Sequence, residues 1–375
     1  MRKKLLLLSI LLIFALSGCL PNLDAQDEVV QEENNNNKNE EKAIVPKYQI
    51  SEEYYRTLTP FKPSGARGQA ASYLNSRFDS DEFEEGLLRI SQKNFSTDQY
   101  IFQEGQYLDS ETINEWLRSL NPTEPDVDDG ASIDEKKEAK ENAPKYLAHI
   151  LEQNYLVQED DKVKLAGISI GLALNSVYYF NIEGNRFETP ISNNTIEKEG
   201  KRIAEEVVQL IRGVEGLEEV PITIGLFKQQ AKTSIIPGNY FAYATVKSDS
   251  RSLEWNNVNE KYVLFPSKHA TDQYRDDAER FSRFKEDIST YFPNHNGIVG
   301  RGLYINNELQ KISIDIDFQF YGKTEVIGFT QYLAGLAVEA YPDYVILEIN
   351  VKSVAGQEAM ILKKPDMKEP FVHIY

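Results

Sequence analysis

The sequence predicts an α+β protein made of two tandem, diverged repeats with mixed or antiparallel sheets, placed after a disordered tether. Three observations carry this. Amphipathic helical segments are interleaved with short alternating strands. One order of elements, helix–strand–helix–strand–strand, occurs twice. The stretch ahead of the first helix is too polar to offset the entropy of ordering it.

The chain opens with Met1-Arg2-Lys3-Lys4, continues with an apolar run from Leu5 to Leu16, and reaches Ser17-Gly18-Cys19. This is the charged, apolar and small-residue order of a signal peptide over residues 1–18. The apolar run is too short to cross a hydrocarbon core of about 30 Å as a helix. Leu16, Ser17 and Gly18 before Cys19 form a lipobox: the small residues admit the peptidase, and the thiolate takes the lipid. The expected partners in processing are therefore lipoprotein diacylglyceryl transferase and signal peptidase II. Membrane lipid is then held through Cys19, on the outer face of the cell membrane. Cys19 is the sole cysteine among 375 residues, so no intrachain disulfide supports the fold.

The net charge is −18, and −21 once Arg2, Lys3 and Lys4 are removed. Nucleic-acid binding needs a basic surface against phosphates, so that class is excluded. An anionic membrane face would also repel the chain, which leaves anchoring to the acyl chains, at about 0.8 kcal/mol per buried CH₂.

Residues 19–46, rich in Asn, Glu and Asp with Asn34-Asn35-Asn36-Asn37 at their centre, read as the lipidated cysteine and tether. At 5–6 Å × √n its reach is about 30 Å. The first repeat with its N-terminal helical region is placed at 47–246, and the second repeat at 247–375. Helical spacing appears over Asp79–Asn94, through Phe83, Leu87, Leu88 and Ile90. It recurs over Ser110–Leu120, with Ser110 as N-cap and Ile113, Trp116, Leu117 and Leu120 on one face. Residues 121–142, with Pro122, Pro125 and Asp126 to Gly130, read as a mobile acidic surface loop.

The first copy of the repeat comprises a helix near Pro144–Asn154, a strand Ile168–Leu174, a helix Thr195–Arg212, and strands Ile222–Phe227 and Tyr240–Tyr243. The second comprises a helix Asp276–Tyr291, a strand Ile312–Phe318, a helix Glu325–Ala340 closed by Pro342, and strands Val345–Val351 and Phe371–Tyr375. Little beyond Ile-Ser-Ile is shared at residue level. Alternating strands suit sheets with one covered and one polar face, and helices gathered on one side then give the α+β class.

Groups that could carry chemistry are few. His149, His269, His295 and His373 lie in no metal or protease motif, and no G-x-S-x-G elbow or P-loop is present. Asp126, Asp128 and Asp129 before Gly130 suggest part of a calcium loop, but the position that should be a bidentate Glu is Lys137. Asp315 and Asp317 alternate with Ile314 and Ile316 and read as the polar face of a strand. Tyr178, Tyr179, Phe180, Tyr240, Phe241 and Tyr243 gather near strand ends, as packing or as a groove for peptide or glycan. Arg67 and Arg77 are basic groups in an acidic protein, read as an anion site or, in preference, as internal pairs. No catalytic residue, metal or cofactor is expected, and the chain is read as a non-enzyme.

Several stretches carry a family resemblance. They are Tyr54-Tyr55-Arg56, Pro60-Phe61-Lys62-Pro63-Ser64, Ala66-Arg67-Gly68, Asp81-Glu82-Phe83-Glu84, Gly86-Leu87-Leu88-Arg89-Ile90-Ser91 and Phe102-Gln103-Glu104-Gly105-Gln106-Tyr107-Leu108. Ile236-Pro237-Gly238-Asn239-Tyr240 and Gly300-Arg301-Gly302 follow. Over roughly 46–375 and the signal peptide, the chain resembles the CamS family of sex-pheromone lipoproteins of Gram-positive bacteria. The resemblance implies two CamS repeats. It also implies that a short apolar peptide, here Leu12-Ile13-Phe14-Ala15-Leu16-Ser17-Gly18, is released from the signal sequence to promote plasmid conjugation. A plasmid-encoded pheromone receptor in a neighbouring cell would be that peptide's partner. The resemblance assigns no role to the mature domain. The alternatives are a module binding extracellular peptide or cell-wall ligand, which an open aromatic groove would favour, and a carboxylate-based hydrolase. Converging Asp and Glu side chains with raised pKa values in a deep pocket would favour the latter.

Overall fold

The computed structural model describes residues 26–31, 41–128, 130–292 and 295–375. Its strands are β1 (Gln26–Gln31), β2 (Glu41–Pro46), β3 (Arg56–Thr57), β4 (Ile101–Glu104), β5 (Leu147–Glu159), β6 (Lys162–Asn175), β7 (Val177–Ile182), β8 (Asn185–Pro190) and β9 (Ile222–Gln229). They continue with β10 (Asn239–Val246), β11 (Glu254–Asn257), β12 (Glu260–Phe265), β13 (His295–Ile305), β14 (Glu308–Phe318), β15 (Ile346–Ser353), β16 (Gly356–Lys363) and β17 (Phe371–Ile374). The helices are α1 (Gln69–Tyr73), α2 (Arg77–Ser91), α3 (Ser110–Leu120), α4 (Ile133–Asn142), α5 (Asn193–Ile211), α6 (Lys268–Gln273), α7 (Arg275–Tyr291) and α8 (Lys323–Ala340).

The architecture is α+β, built on two large mixed sheets. The first has the order β11-β10-β9-β6-β5-β4-β3, with β1 and β2 attached beside β6; the second runs β12-β13-β14-β15-β16-β17. In the first, α5 carries the chain from β6 to a parallel β9, and Ile168 pairs with Ile222. In the second, α8 carries it from β14 to a parallel β15, and Ile312 pairs with Leu347. On either side of these parallel pairs the neighbours are antiparallel. Hence β4-β5-β6-β9-β10-β11 and β12-β13-β14-β15-β16-β17 share strand order and direction.

The covered face of the second sheet is apolar. Ile312, Ile314, Ile316, Leu347 and Ile349 pack with Phe281, Phe284 and Ile288 of α7 and Phe329 and Leu333 of α8. Its other face is polar, as alternation predicts: Asp315 accepts from Lys352 Nζ at 2.9 Å and from Arg301. Burial alone would raise the Asp315 pKa, but these two cations outweigh it and hold the group below its ordinary value. Asp317, one residue beyond Ile316, is exposed.

The first sheet departs from helices on one side only. Alternate residues Ile168, Ile170, Leu172 and Leu174 face α3 and α5. Ala173, Phe227 and Tyr240 face Phe83, Leu87 and Ile90 of α2. With both faces covered, β6 is buried almost throughout. Gly225 leaves room for the Tyr240 ring and Gly171 for its hydroxyl and the Phe83 ring, each of which would lie within 3 Å of a Cβ there. Tyr240 Oη donates to the Phe83 carbonyl at 2.8 Å.

Four expectations are corrected. The segment Pro144–Asn154 is not a helix but the start of β5. Residues 26–31 and 41–46 of the expected tether form an antiparallel hairpin. Val29, Ala43 and Val45 are buried there, so these short apolar runs fold against the sheet edge; the rest of 19–46 lies outside the described residues. The acidic loop 121–142 contains α4, started by a capping box between Ser132 and Glu135. Glu254 to Asn257, placed with the second repeat, return to the first sheet beside β10. At a finer level, the cap of α3 is Asp109, which accepts from Thr112 N, rather than Ser110.

The sheets meet where α2 touches β12. Glu82, 4% exposed, accepts from Tyr262 Oη at 2.5 Å and is paired with Arg89. Arg89 also donates to Glu260 at 2.7 Å.

Candidate functional site

The long β5–β6 hairpin brings together two hollows at the end where β5 begins and β6 finishes. One is an open cleft of about 610 Å³ between α1, the last turn of α3 and the β7–β8 hairpin. The other is a smaller, partly open hollow of about 200 Å³ beneath the loop that leads into α1. Tyr73 and His149 stand between them, ring on ring at 5.6 Å and nearly parallel. Tyr73 donates to Asn114 Oδ1 at 2.9 Å, and Phe83 of α2 meets His149 edge to face at 6.4 Å.

His149 is 1% exposed, and its Nδ1 has no partner. Burial pulls its pKa down to about 4, so the ring is neutral near pH 7. The smaller hollow also gathers Glu84, Glu104 and Glu152 around an apolar interior that includes Leu88, Phe102 and Ile150. Glu152 accepts from the backbone N–H groups of Gln106, Tyr107 and Leu108. Glu104 accepts from Ser64 N at 2.7 Å and pairs with Arg67 at 3.6 Å. Glu84 is pushed up by burial and by the neighbouring Glu104. Two of the three carboxylates are thus committed to backbone amides, an arrangement that fixes the 104–108 turn.

The open cleft has a different character. Tyr178 and Tyr179 of β7 line it, with Arg118, Lys145 and Lys232. Lys232 Nζ lies 4.5 Å from the Tyr179 ring centroid. Tyr178 donates to Glu124, and burial pushes its phenol up to about 12. Glu124 is in turn held by Lys140 at 2.7 Å.

Of the residues singled out from sequence, Leu12 to Gly18 and Cys19 lie outside the described residues. Arg67 is ion-paired with Glu104 and stands over the Phe61 ring. Arg77 pairs with Asp81 at 3.7 Å across one turn of α2. Of the strand-end aromatics, Tyr178 and Tyr179 reach the cleft, whereas Tyr240 is core and Phe180 packs within its own hairpin. Asp126 and Asp128 are exposed, and among the described residues no three His, Cys, Asp or Glu side chains form a metal cluster. Tyr73, His149 and Lys232 were not marked as a group. They meet only because α1 rests on β5 and β9 pairs with β6, and no local spacing reports that.

Residues 61–369 match the family described as CamS sex pheromone cAM373 precursor. The chain is similar to the crystal structure of a sex pheromone precursor from Lactobacillus salivarius subsp. salivarius UCC118. The TM-score is 0.77 and the identity 29%, over 88% of this chain and 98% of that one. It is also similar to the C-terminal domain of the sex pheromone staph-cAM373 precursor from Staphylococcus aureus, with TM-score 0.66 and 32% identity, over 81% of this chain and 99% of that one. No curated protein matches. A match of this extent, in sequence and in fold, means that the chain belongs to the CamS sex pheromone cAM373 precursor family.

Proposed function

We propose that this chain is a lipid-anchored precursor with two products. Cleavage between Gly18 and Cys19 leaves the folded protein on the outer face of the membrane through its lipidated cysteine. The segment Leu12-Ile13-Phe14-Ala15-Leu16-Ser17-Gly18 is released as a short apolar pheromone that promotes plasmid conjugation. The observation that carries the reading is the coincidence of family membership with an apolar heptamer ending at a lipobox. Such a peptide is apolar because it must insert in the membrane, and neutral enough to diffuse to a receptor in another cell. The folded domain acts by binding rather than by hydrolysis; Glu104 and Glu152 already serve as acceptors for backbone amides, which supports this.

The test separates the two products. A synthetic Leu12–Gly18 peptide should induce clumping or transfer in a responsive recipient. A precursor given an unrelated lipoprotein signal should yield normal mature protein and no mating signal. Phe14→Asp should abolish activity, because desolvating a charge costs on the order of several kcal/mol. Cys19→Ala should leave uncleaved precursor or release protein to the medium. A signal-swapped strain that still induces mating, with an inactive heptamer, would overturn the assignment.

A further inference from the structure

We propose that the open cleft beside Tyr73 binds an anionic saccharide, with a sugar ring stacked on Tyr73 and its acidic groups held by Arg118, Lys145 and Lys232. The cleft's charge is the first argument. The whole chain carries 59 acidic and 41 basic residues. The charged side chains lining the cleft are three cations and one carboxylate, Glu124, and Lys140 already neutralises that carboxylate. Arg118, Lys145 and Lys232 are exposed on the wall of one concavity; Lys145 adds to the positive charge around Glu124, and none of the three forms a close ion pair among the described residues. The chain's net negative charge would repel an anion at long range, and the cleft's cations offset that locally.

The shape and chemistry of the walls argue for a sugar. Tyr73 is 45% exposed although one face is covered by the parallel His149 ring, so its open face belongs to the cleft. A flat aromatic face beside amide groups suits a ring that is apolar on one side and hydroxylated at its edge. Asn114 accepts from Tyr73 and keeps its amide N–H groups for a ligand. Neighbouring Asn121 has already spent its own on the Leu117 and Leu147 carbonyls. At about 610 Å³ the cleft lies within the usual range for small-molecule sites, roughly 300–1,000 Å³, which holds a short oligosaccharide.

The experiment titrates the full chain, in detergent, with four probes: a phosphodiester-linked oligosaccharide, a uronic acid oligomer, a neutral oligosaccharide of the same length, and oligoglutamate. One or both anionic saccharides should bind, and their ratio distinguishes phosphate from carboxylate as the recognised group. Arg118→Gln, Lys145→Gln and Lys232→Gln should each weaken binding about 2- to 5-fold, as expected for solvent-exposed ion pairs. Tyr73→Ala should weaken both anionic saccharides, while Arg77→Gln, an exposed cation elsewhere, should change nothing. The charge variants are exposed and should keep the parent's thermal transition; Tyr73→Phe, which keeps the stack on His149, should bind the anionic saccharides like the parent and so separates loss of the ring from loss of packing in Tyr73→Ala. Equal binding of the neutral sugar, tighter binding of oligoglutamate, an equal effect of Arg77→Gln, no effect of Tyr73→Ala, or no binding of either anionic saccharide would each overturn the proposal.

Discussion

Replacing His149 by phenylalanine should make the folded chain less sensitive to acid. His149 is 1% exposed, and burial holds its pKa at about 4 against an ordinary 6.5. Because the folded pKa is depressed, the unfolded chain takes up a proton first as pH falls. Above pH 6.5 the group costs nothing; between 6.5 and about 4 it draws the equilibrium toward the unfolded state, and below 4 the loss is complete. At 1.36 kcal/mol per unit the full loss is on the order of 3 kcal/mol, with about 2 kcal/mol already gone at pH 5. The His149→Phe ring keeps the stack on Tyr73 and removes Nδ1, a buried atom with no partner, so at pH 7.5 the variant should be close to neutral or slightly stabilised. The added bulk has the adjoining cavity to enter. Urea denaturation of both proteins at pH 7.5 and pH 5 gives the difference directly, since carboxylate contributions cancel between them. An equal loss of stability in wild type and variant would refute the argument that His149 is held neutral.

Three further outcomes are expected. Arg89→Met leaves Glu82 buried with only Tyr262 to serve it and should cost about 3–5 kcal/mol by denaturant midpoint, with Glu82→Gln in the same chain restoring part of it. Glu152→Ala removes the acceptor for three backbone amides and should cost roughly 1–3 kcal/mol per orphaned amide at most, read as faster hydrogen exchange confined to residues 106–108. Gly167→Ala places a Cβ 2.2 Å from the Phe95 ring and should cost about 1–3 kcal/mol in thermal unfolding; Phe95→Leu in the same chain should recover most of it.

Elements with one wet face are legible through their period: helices α5 and α7 and strands β14 and β15 each turn one side to water and the other to the core. Strands β6 and β9, covered on both faces, are legible instead as short continuous apolar runs. Strand β5 has no wet face over most of its length, and its interior holds His149, Glu152, Gln153 and Asn154. Alternation vanishes there, and the leftover apolar spacing of Leu147, Ile150 and Leu151 imitates a helical turn. The β1–β2 hairpin was hidden by averaging: Val29-Val30 and Ala43-Ile44-Val45 are short apolar runs inside a polar stretch. The Ser132/Glu135 box of α4 is an S-x-x-E signal, but its helix buries no side chain, so no apolar period accompanies it. The cleft depends on contacts between distant segments, such as Lys232 with Tyr179, which no window of sequence contains.

The β1–β2 hairpin also sets how the molecule stands. Strand β1 begins at Gln26 and joins β6 beside Lys162. With the anchor proposed at Cys19, only seven residues separate lipid from sheet, about 25 Å even at full stretch. The 14 residues of β6 then run about 45 Å from that point to Asn175, on the wall of the cleft. If Cys19 is the anchor as proposed, the hairpin would moor the molecule at one pole and the cleft would lie toward the other, facing away from the bilayer, where large polymers could arrive without having to reach the lipid.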